Sequence, residues 1–150
     1  LLSKCGAEVN VHDLYIEVKK NQLKSFTFDA TDVPDLIPPL TVLASSCDGE
    51  SYIYGTDRLI NKESNRALSL EKEFSKLGVR IISKKNCFKI IGCNKIKGGY
   101  VDSHNDHRIA MALSVMATVA KTPVAITNSS AVDKSNSRFY NDLDNILRFN

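Results

Sequence analysis

Part of this chain is written twice. Ser3-Lys4-Cys5-Gly6-Ala7-Glu8-Val9 aligns with Ser75-Lys76-Leu77-Gly78-Val79-Arg80-Ile81, 72 residues further on. Each copy reads as the end of a helix, a glycine stop and the start of a strand. Two alternating stretches match next, Leu14-Tyr15-Ile16-Glu17-Val18 and Cys87-Phe88-Lys89-Ile90-Ile91. Phe26-Thr27-Phe28-Asp29 then matches Gly99-Tyr100-Val101-Asp102, and each leads into an apolar-periodic helix, over residues 34–47 and 106–120. In the second helix Ile109, Leu113, Met116 and Ala120 share a face. Strands over residues 51–54 and 124–127 come next, and both copies then place a lysine at a helix start, Lys62 and Lys134. A helix carrying Ala67, Leu70, Phe74 and Leu77 runs up to Gly78, and a last one carries Phe139, Leu143, Ile146 and Leu147. The unit is strand, helix, strand, helix and two strands, present nearly twice, which makes the chain an α/β protein.

At 150 residues the chain is long enough for one domain. With 43% hydrophobic and 25% charged residues it has a globular rather than a disordered profile. A net charge of +3 is too slight to imply a nucleic-acid partner, so any cationic site must be local. The four cysteines form no CxxC pair and no metal-finger spacing, the pattern of reduced thiols in a cytosolic protein. No apolar run approaches the ~20 residues that span a membrane, so no membrane partner is expected. The chain opens Leu1-Leu2-Ser3-Lys4, and Gly6 reads as the stop of a helix begun upstream, which points to a piece of a longer protein.

Three polar clusters fall at helix starts or just before them. In Lys62-Glu63-Ser64-Asn65-Arg66 the two cations are four residues apart, so on a helix they share a face and repel. Positive charge also opposes the dipole at a helix N-terminus, unless an anion completes the arrangement. The plainer reading is a solvated helix start in which Glu63 pairs with Arg66. Asp102-Ser103-His104-Asn105-Asp106-His107-Arg108 raises the question of a metal, but no His/Cys pair nearby would complete a ligand set. Asn105 or Asp106 reads as an N-cap, and His107 with Arg108 makes a fork suited to carboxylate or phosphate. Lys134, an ordinary surface lysine by itself, gains interest because the repeat sets it where Lys62 stands in the other copy. Asp35 follows Pro34 at the start of an apolar helix, where the repeat alignment sets it against Arg108. It is either a helix-start acid favoured by the dipole or a carboxylate held among cations, a candidate proton acceptor. Nucleotide loops and serine-hydrolase elbows are missing.

The pairing of Lys62-Glu63-Ser64-Asn65-Arg66 with Asn105-Asp106-His107-Arg108-Ile109-Ala110-Met111-Ala112 resembles the EPSP synthase family, whose members carry KE[ST]DR and, further on, NDHRxAM. The resemblance covers essentially the whole chain. It implies an enolpyruvyl transferase-like fold, an inside-out α/β barrel of repeated βαβαββ units with about two units present, so that residues 1–150 form most of a C-terminal domain. It implies transfer of the enolpyruvyl group of phosphoenolpyruvate to the 5-hydroxyl of shikimate 3-phosphate with release of phosphate. By the same resemblance Asp35 accepts the hydroxyl proton and Glu63 protonates the phosphoenolpyruvate methylene. Lys62 and Asp35 match shikimate-phosphate ligands, Arg66, Arg108 and Lys134 match phosphoenolpyruvate ligands, and His107 matches a histidine lining that pocket. No metal or organic cofactor is implied. A cytoplasmic enzyme, monomeric when full-length, is expected.

The chain departs from the family pattern at Asn65, where an aspartate is usual, and at Asn136-Ser137, where Phe-Pro is usual after the lysine and serine. A whole N-terminal domain, which supplies much of the shikimate pocket, is also missing, so this chain alone is expected not to turn over. The alternatives are the sister transferase acting on UDP-N-acetylglucosamine and a non-catalytic module that binds phosphate esters.

Overall fold

The computed structural model describes residues 1–19, 21–93 and 95–148. A short 3-10 turn, Leu2–Cys5, leads to a hairpin of β1 (Glu8–Val11) and β2 (Ile16–Lys19). One unit then appears in full, comprising β3 (Thr27–Asp29), α1 (Ile37–Ser45), β4 (Glu50–Tyr54), α2 (Arg66–Lys76), β5 (Arg80–Lys84) and β6 (Cys87–Ile91). The next begins with β7 (Gly99–Asp102), α3 (His107–Ala117), β8 (Val124–Thr127) and α4 (Phe139–Arg148). The full unit's strands form one sheet in the order β3-β4-β6-β5, with β3 and β4 parallel and the other pairs antiparallel. The parallel pair β7-β8 repeats β3-β4, and the antiparallel β1-β2 repeats β5-β6. The duplication therefore consists of the closing hairpin of one unit, a whole second unit and the opening part of a third.

The repeated glycines do what their place in the sequence requires. Gly6 and Gly78 take left-handed backbones, φ 98° and 86°, each ending a helical turn and releasing the chain into a strand. A side chain at either would be strained. Gly92 is fixed by space instead, since a Cβ there would stand 1.6 Å from the carbonyl oxygen of Cys47. The chain leaves β6 across the end of α1 at that point, with Gly92 N bonding Gly49 O and Cys93 N bonding Ser45 O.

Helix α1 is buried almost all round, as expected of an interior helix. Its buried hydroxyls are satisfied locally, Thr41 donating to Ile37 O (2.9 Å) and Ser45 to Thr41 O (2.7 Å). Helix α3 packs against it and sends Ile109, Leu113 and Met116, all fully buried, into the core. Leu70, Phe74 and Leu77 fill the core from α2, and Ile53, Phe88 and Ile90 from the sheet. Each such side chain contributes about 1.5–3 kcal/mol on burial. Along one flank α1 and α3 leave an apolar groove of about 480 Å³, walled by Val42, Leu43, Met111, Val115 and Phe139 and reaching Arg108 at one end.

Three expectations need adjustment. Lys62 does not begin a helix, because Asn65 caps α2 by accepting from Leu68 N (3.2 Å) and the helix starts at Arg66. Lys134 likewise ends a 3-10 turn, Ser129–Lys134, ahead of α4. Ala120 lies beyond α3, which ends at Ala117. Helix α4 forms where its pattern predicts, yet it buries none of its residues, and Leu147 is 49% exposed. Three cysteines are buried, Cys93 is half-buried, and all four are free thiols. None of the described helices is long and apolar enough to cross a membrane.

Candidate active site

Arg66 is the first residue of α2 and one of the largest side chains in the interior, only 1% exposed. A guanidinium is tolerated there only if its donors are matched by charge. Its Nε donates to Asp106 Oδ2 (2.8 Å), Nη1 to Asp35 Oδ1 (2.8 Å) and Nη2 to Glu63 Oε2 (2.5 Å). Three carboxylates from three segments thus converge on one cation. The anion that a cationic helix start requires is supplied by the protein itself.

Asp106 is the buried member of that set. It caps α3 by accepting from Arg108 N (2.9 Å), and its other oxygen also receives the Ser64 hydroxyl (3.0 Å). Asp35, in the 3-10 turn Pro34–Leu36 ahead of α1, is the hub of the exposed side. Besides Arg66 it holds Lys62 at 3.5 Å and Arg108 at 3.3 Å. His107 Nδ1 stands 3.9 Å from Glu63 Oε1. That nitrogen and Arg108 Nε are buried atoms without a hydrogen-bond partner among the described residues. Lys134 reaches the same helix start by another route, donating to the carbonyl of Asn105 (2.6 Å). The structure therefore draws Asp35, Lys62, Glu63, Arg66, His107 and Arg108 into one network and attaches Lys134 to its margin.

The electrostatics follow from this geometry. Burial pushes the Asp106 carboxyl up, but Arg66, the Arg108 N–H and Ser64 together hold it below the ordinary aspartate value of 3.8. At Asp35 burial again acts upward, while Arg108, Lys62 and Arg66 outweigh it and keep the group ionised. Glu73 on α2 is fully buried, and burial raises it. Lys76, the Asp102 N–H and His104 bring it below its ordinary 4.5. Carboxyls lowered in the fold take up protons more readily once the chain unfolds, so their stabilisation is complete above the unfolded values. It is lost as pH falls through the folded ones. Urea midpoints are therefore expected to be level down to about pH 5 and to drop steeply below about pH 4. A midpoint that stays level down to about pH 3 would contradict the ion-pair description.

Two buried carboxylates here go unassigned in the sequence. Asp106 stands in the motif but reads as a cap or a metal candidate, and Glu73 draws no notice. Helical spacing holds the missing signal, because Arg66, Leu70, Glu73 and Leu77 form one stripe of α2. Two charges on an otherwise apolar stripe announce buried charges with partners elsewhere. Three of the four candidate metal residues have other partners, with Asp102 accepting from Asn128 Nδ2, His104 bonded to Glu73 and Asp106 to Arg66.

The family model for EPSP synthase (3-phosphoshikimate 1-carboxyvinyltransferase) matches residues 1–143. A 3-phosphoshikimate 1-carboxyvinyltransferase of Clostridium novyi is 40% identical over 146 residues, 97% of this chain and 34% of that protein. One from Pyrococcus abyssi is 36% identical over 147 residues, 98% of this chain and 35% of its own length. Among solved structures, the EPSP synthase of Acinetobacter baumannii superposes with a TM-score of 0.81 at 26% identity, over 92% of this chain and 36% of that one. The chain spans about a third of the length of the curated relatives it matches.

Proposed function

Because the chain belongs to the EPSP synthase family, we propose that it serves as most of the C-terminal domain of a cytoplasmic enzyme joining phosphoenolpyruvate to the 5-hydroxyl of shikimate 3-phosphate. The carrying observation is the meeting of Lys62, Arg66 and Arg108 on one half-exposed carboxylate, Asp35, with Glu63 and His107 alongside. Both substrates are anions bearing phosphate and carboxylate, and fixed guanidinium and ammonium groups stabilise such charge without having to reorganise.

In this reading Asp35 takes the proton of the attacking hydroxyl, whose oxygen bonds to C2 of phosphoenolpyruvate. The methylene carbon receives a proton from Glu63. Return of a methyl proton to Glu63, with departure of phosphate from C2, restores the double bond. Asp35 is already held ionised by Arg108, Lys62 and Arg66, the form a proton acceptor requires. Arg66 has all three of its nitrogens engaged by carboxylates, so its role toward substrate runs through an exchange of partners. The segment outside this chain completes the shikimate pocket, and the chain alone is expected to release no phosphate from the two substrates.

The assignment is tested in the full-length enzyme that contains this segment. Arg108→Ala and Lys134→Ala should each weaken phosphoenolpyruvate binding by about 2 kcal/mol, the value of a charged hydrogen bond. Wild-type affinity in both variants, measured by equilibrium titration, removes these residues from the donor site.

A further inference from the structure

A second polar knot lies next to the cationic cluster, and no step of the reaction above uses it. At its centre the buried Glu73 carboxylate accepts from His104 Nε2 (2.9 Å), Lys76 Nζ (2.5 Å) and the Asp102 backbone N–H (2.9 Å). It faces the loop of residues 102–106 that joins β7 to α3. His104 and Asn105 there both have left-handed backbones, φ 52° and 55°. Two such non-glycine residues in succession persist only where their surroundings impose them.

The surroundings do so from two sides. Asp102 Oδ1 accepts from His104 N (2.8 Å) and Asn128 Nδ2 (3.2 Å). Ser103 Oγ accepts from Asn105 N (3.1 Å) and donates to Asn128 O (2.8 Å). The His104 ring adds a tie across to α2. Held this way, the loop aims the Asn105 carbonyl at Lys134 and leads into Asp106, the buried partner of Arg66.

We propose that Glu73 and His104 are a positioning pair of the site: by tying the loop to α2 they keep the Asn105 carbonyl where it captures the Lys134 ammonium. The proposal rests on the reading above only in taking Lys134 to bind an anionic substrate. His104 acts through Lys134 and not by contact with substrate. Loss of the imidazole is a local lesion, since Glu73 keeps Lys76 and the Asp102 N–H as partners and is not left as a lone buried charge.

The test uses the full-length enzyme that contains this segment, with labelled lysine side chains, the Lys134 ammonium signal being assigned by its loss in Lys134→Ala. In His104→Leu the Lys134 signal should broaden through exchange with water. Affinity for phosphoenolpyruvate should drop about tenfold, at a melting temperature close to wild type. His104→Gln, whose amide can donate to Glu73, should restore both. Glu73→Leu, which leaves no acceptor for the imidazole, attacks the pair from the other side and should also release Lys134. An unchanged Lys134 signal in folded His104→Leu and Glu73→Leu overturns the proposal, as does failure of His104→Gln to rescue. If Lys134 is released while phosphoenolpyruvate binding is indifferent to both His104→Leu and Lys134→Ala, positioning stands and the substrate reading fails.

Discussion

Replacing Arg66 by methionine is expected to destabilise the fold by about 3–5 kcal/mol, although methionine fits the space and is apolar. The reason lies in what remains. Asp106 is fully buried, and Arg66 is its only charged partner within salt-bridge distance among the described residues. Without the guanidinium, the aspartate must stay charged in the interior or protonate at neutral pH, and both are costly. Asp35 and Glu63 are half-exposed and lose less, because water takes over their solvation. The same argument predicts a partial recovery. Asp106→Asn removes the charge but retains an oxygen able to cap α3, so the double variant Arg66→Met with Asp106→Asn should regain part of the loss. Urea unfolding of the wild type and three variants reads the cycle. Equal stability of Arg66→Met and wild type would falsify the account of a charge matched from within.

Glu63→Gln in the full-length enzyme should lower kcat by about 10²- to 10⁴-fold, the usual contribution of a positioned proton donor. Shikimate 3-phosphate affinity should stay near wild type. The substitution is nearly isosteric and retains an oxygen to accept from Arg66, so the cluster's geometry survives while the transferable proton is lost. This separation of turnover from binding is what sets an enzyme apart from a module that only captures phosphate esters, since such a module has no turnover to lose. Steady-state phosphate release and a binding titration suffice, and a kcat within a few-fold of wild type would remove Glu63 from the chemistry.

The repeat made the fold legible because each unit carries its own punctuation. Strand β8 lies where the repeat predicts it, and Gly78 stops α2 as its position after Leu77 implies. Pairing Lys62 and Arg66 on one helix face failed because Asn65, the residue that departs from the family motif, caps the helix between them. The motif pair identified the family, but not that Arg66 is interior. The Glu63–Arg66 pair is legible at its spacing of three, but the other two partners lie 31 and 40 residues away, and no periodicity encodes contacts of that kind. His104 was hidden for a similar reason. Its significance comes from a left-handed backbone and from Glu73 on another helix, and neither is marked in the local pattern.

An entering ligand finds no idle guanidinium on Arg66, and Asp35 is shared among Arg66, Arg108 and Lys62. Binding is therefore a trade, in which the newcomer has to outbid a carboxylate that is already seated. Chloride or acetate, with a single charge and full hydration, gains little from that trade, whereas a doubly charged phosphate ester can displace Asp35 and free it in the same act. Built this way, the cluster is expected to favour doubly charged phosphate esters over singly charged small anions by competition, without any gate to exclude them.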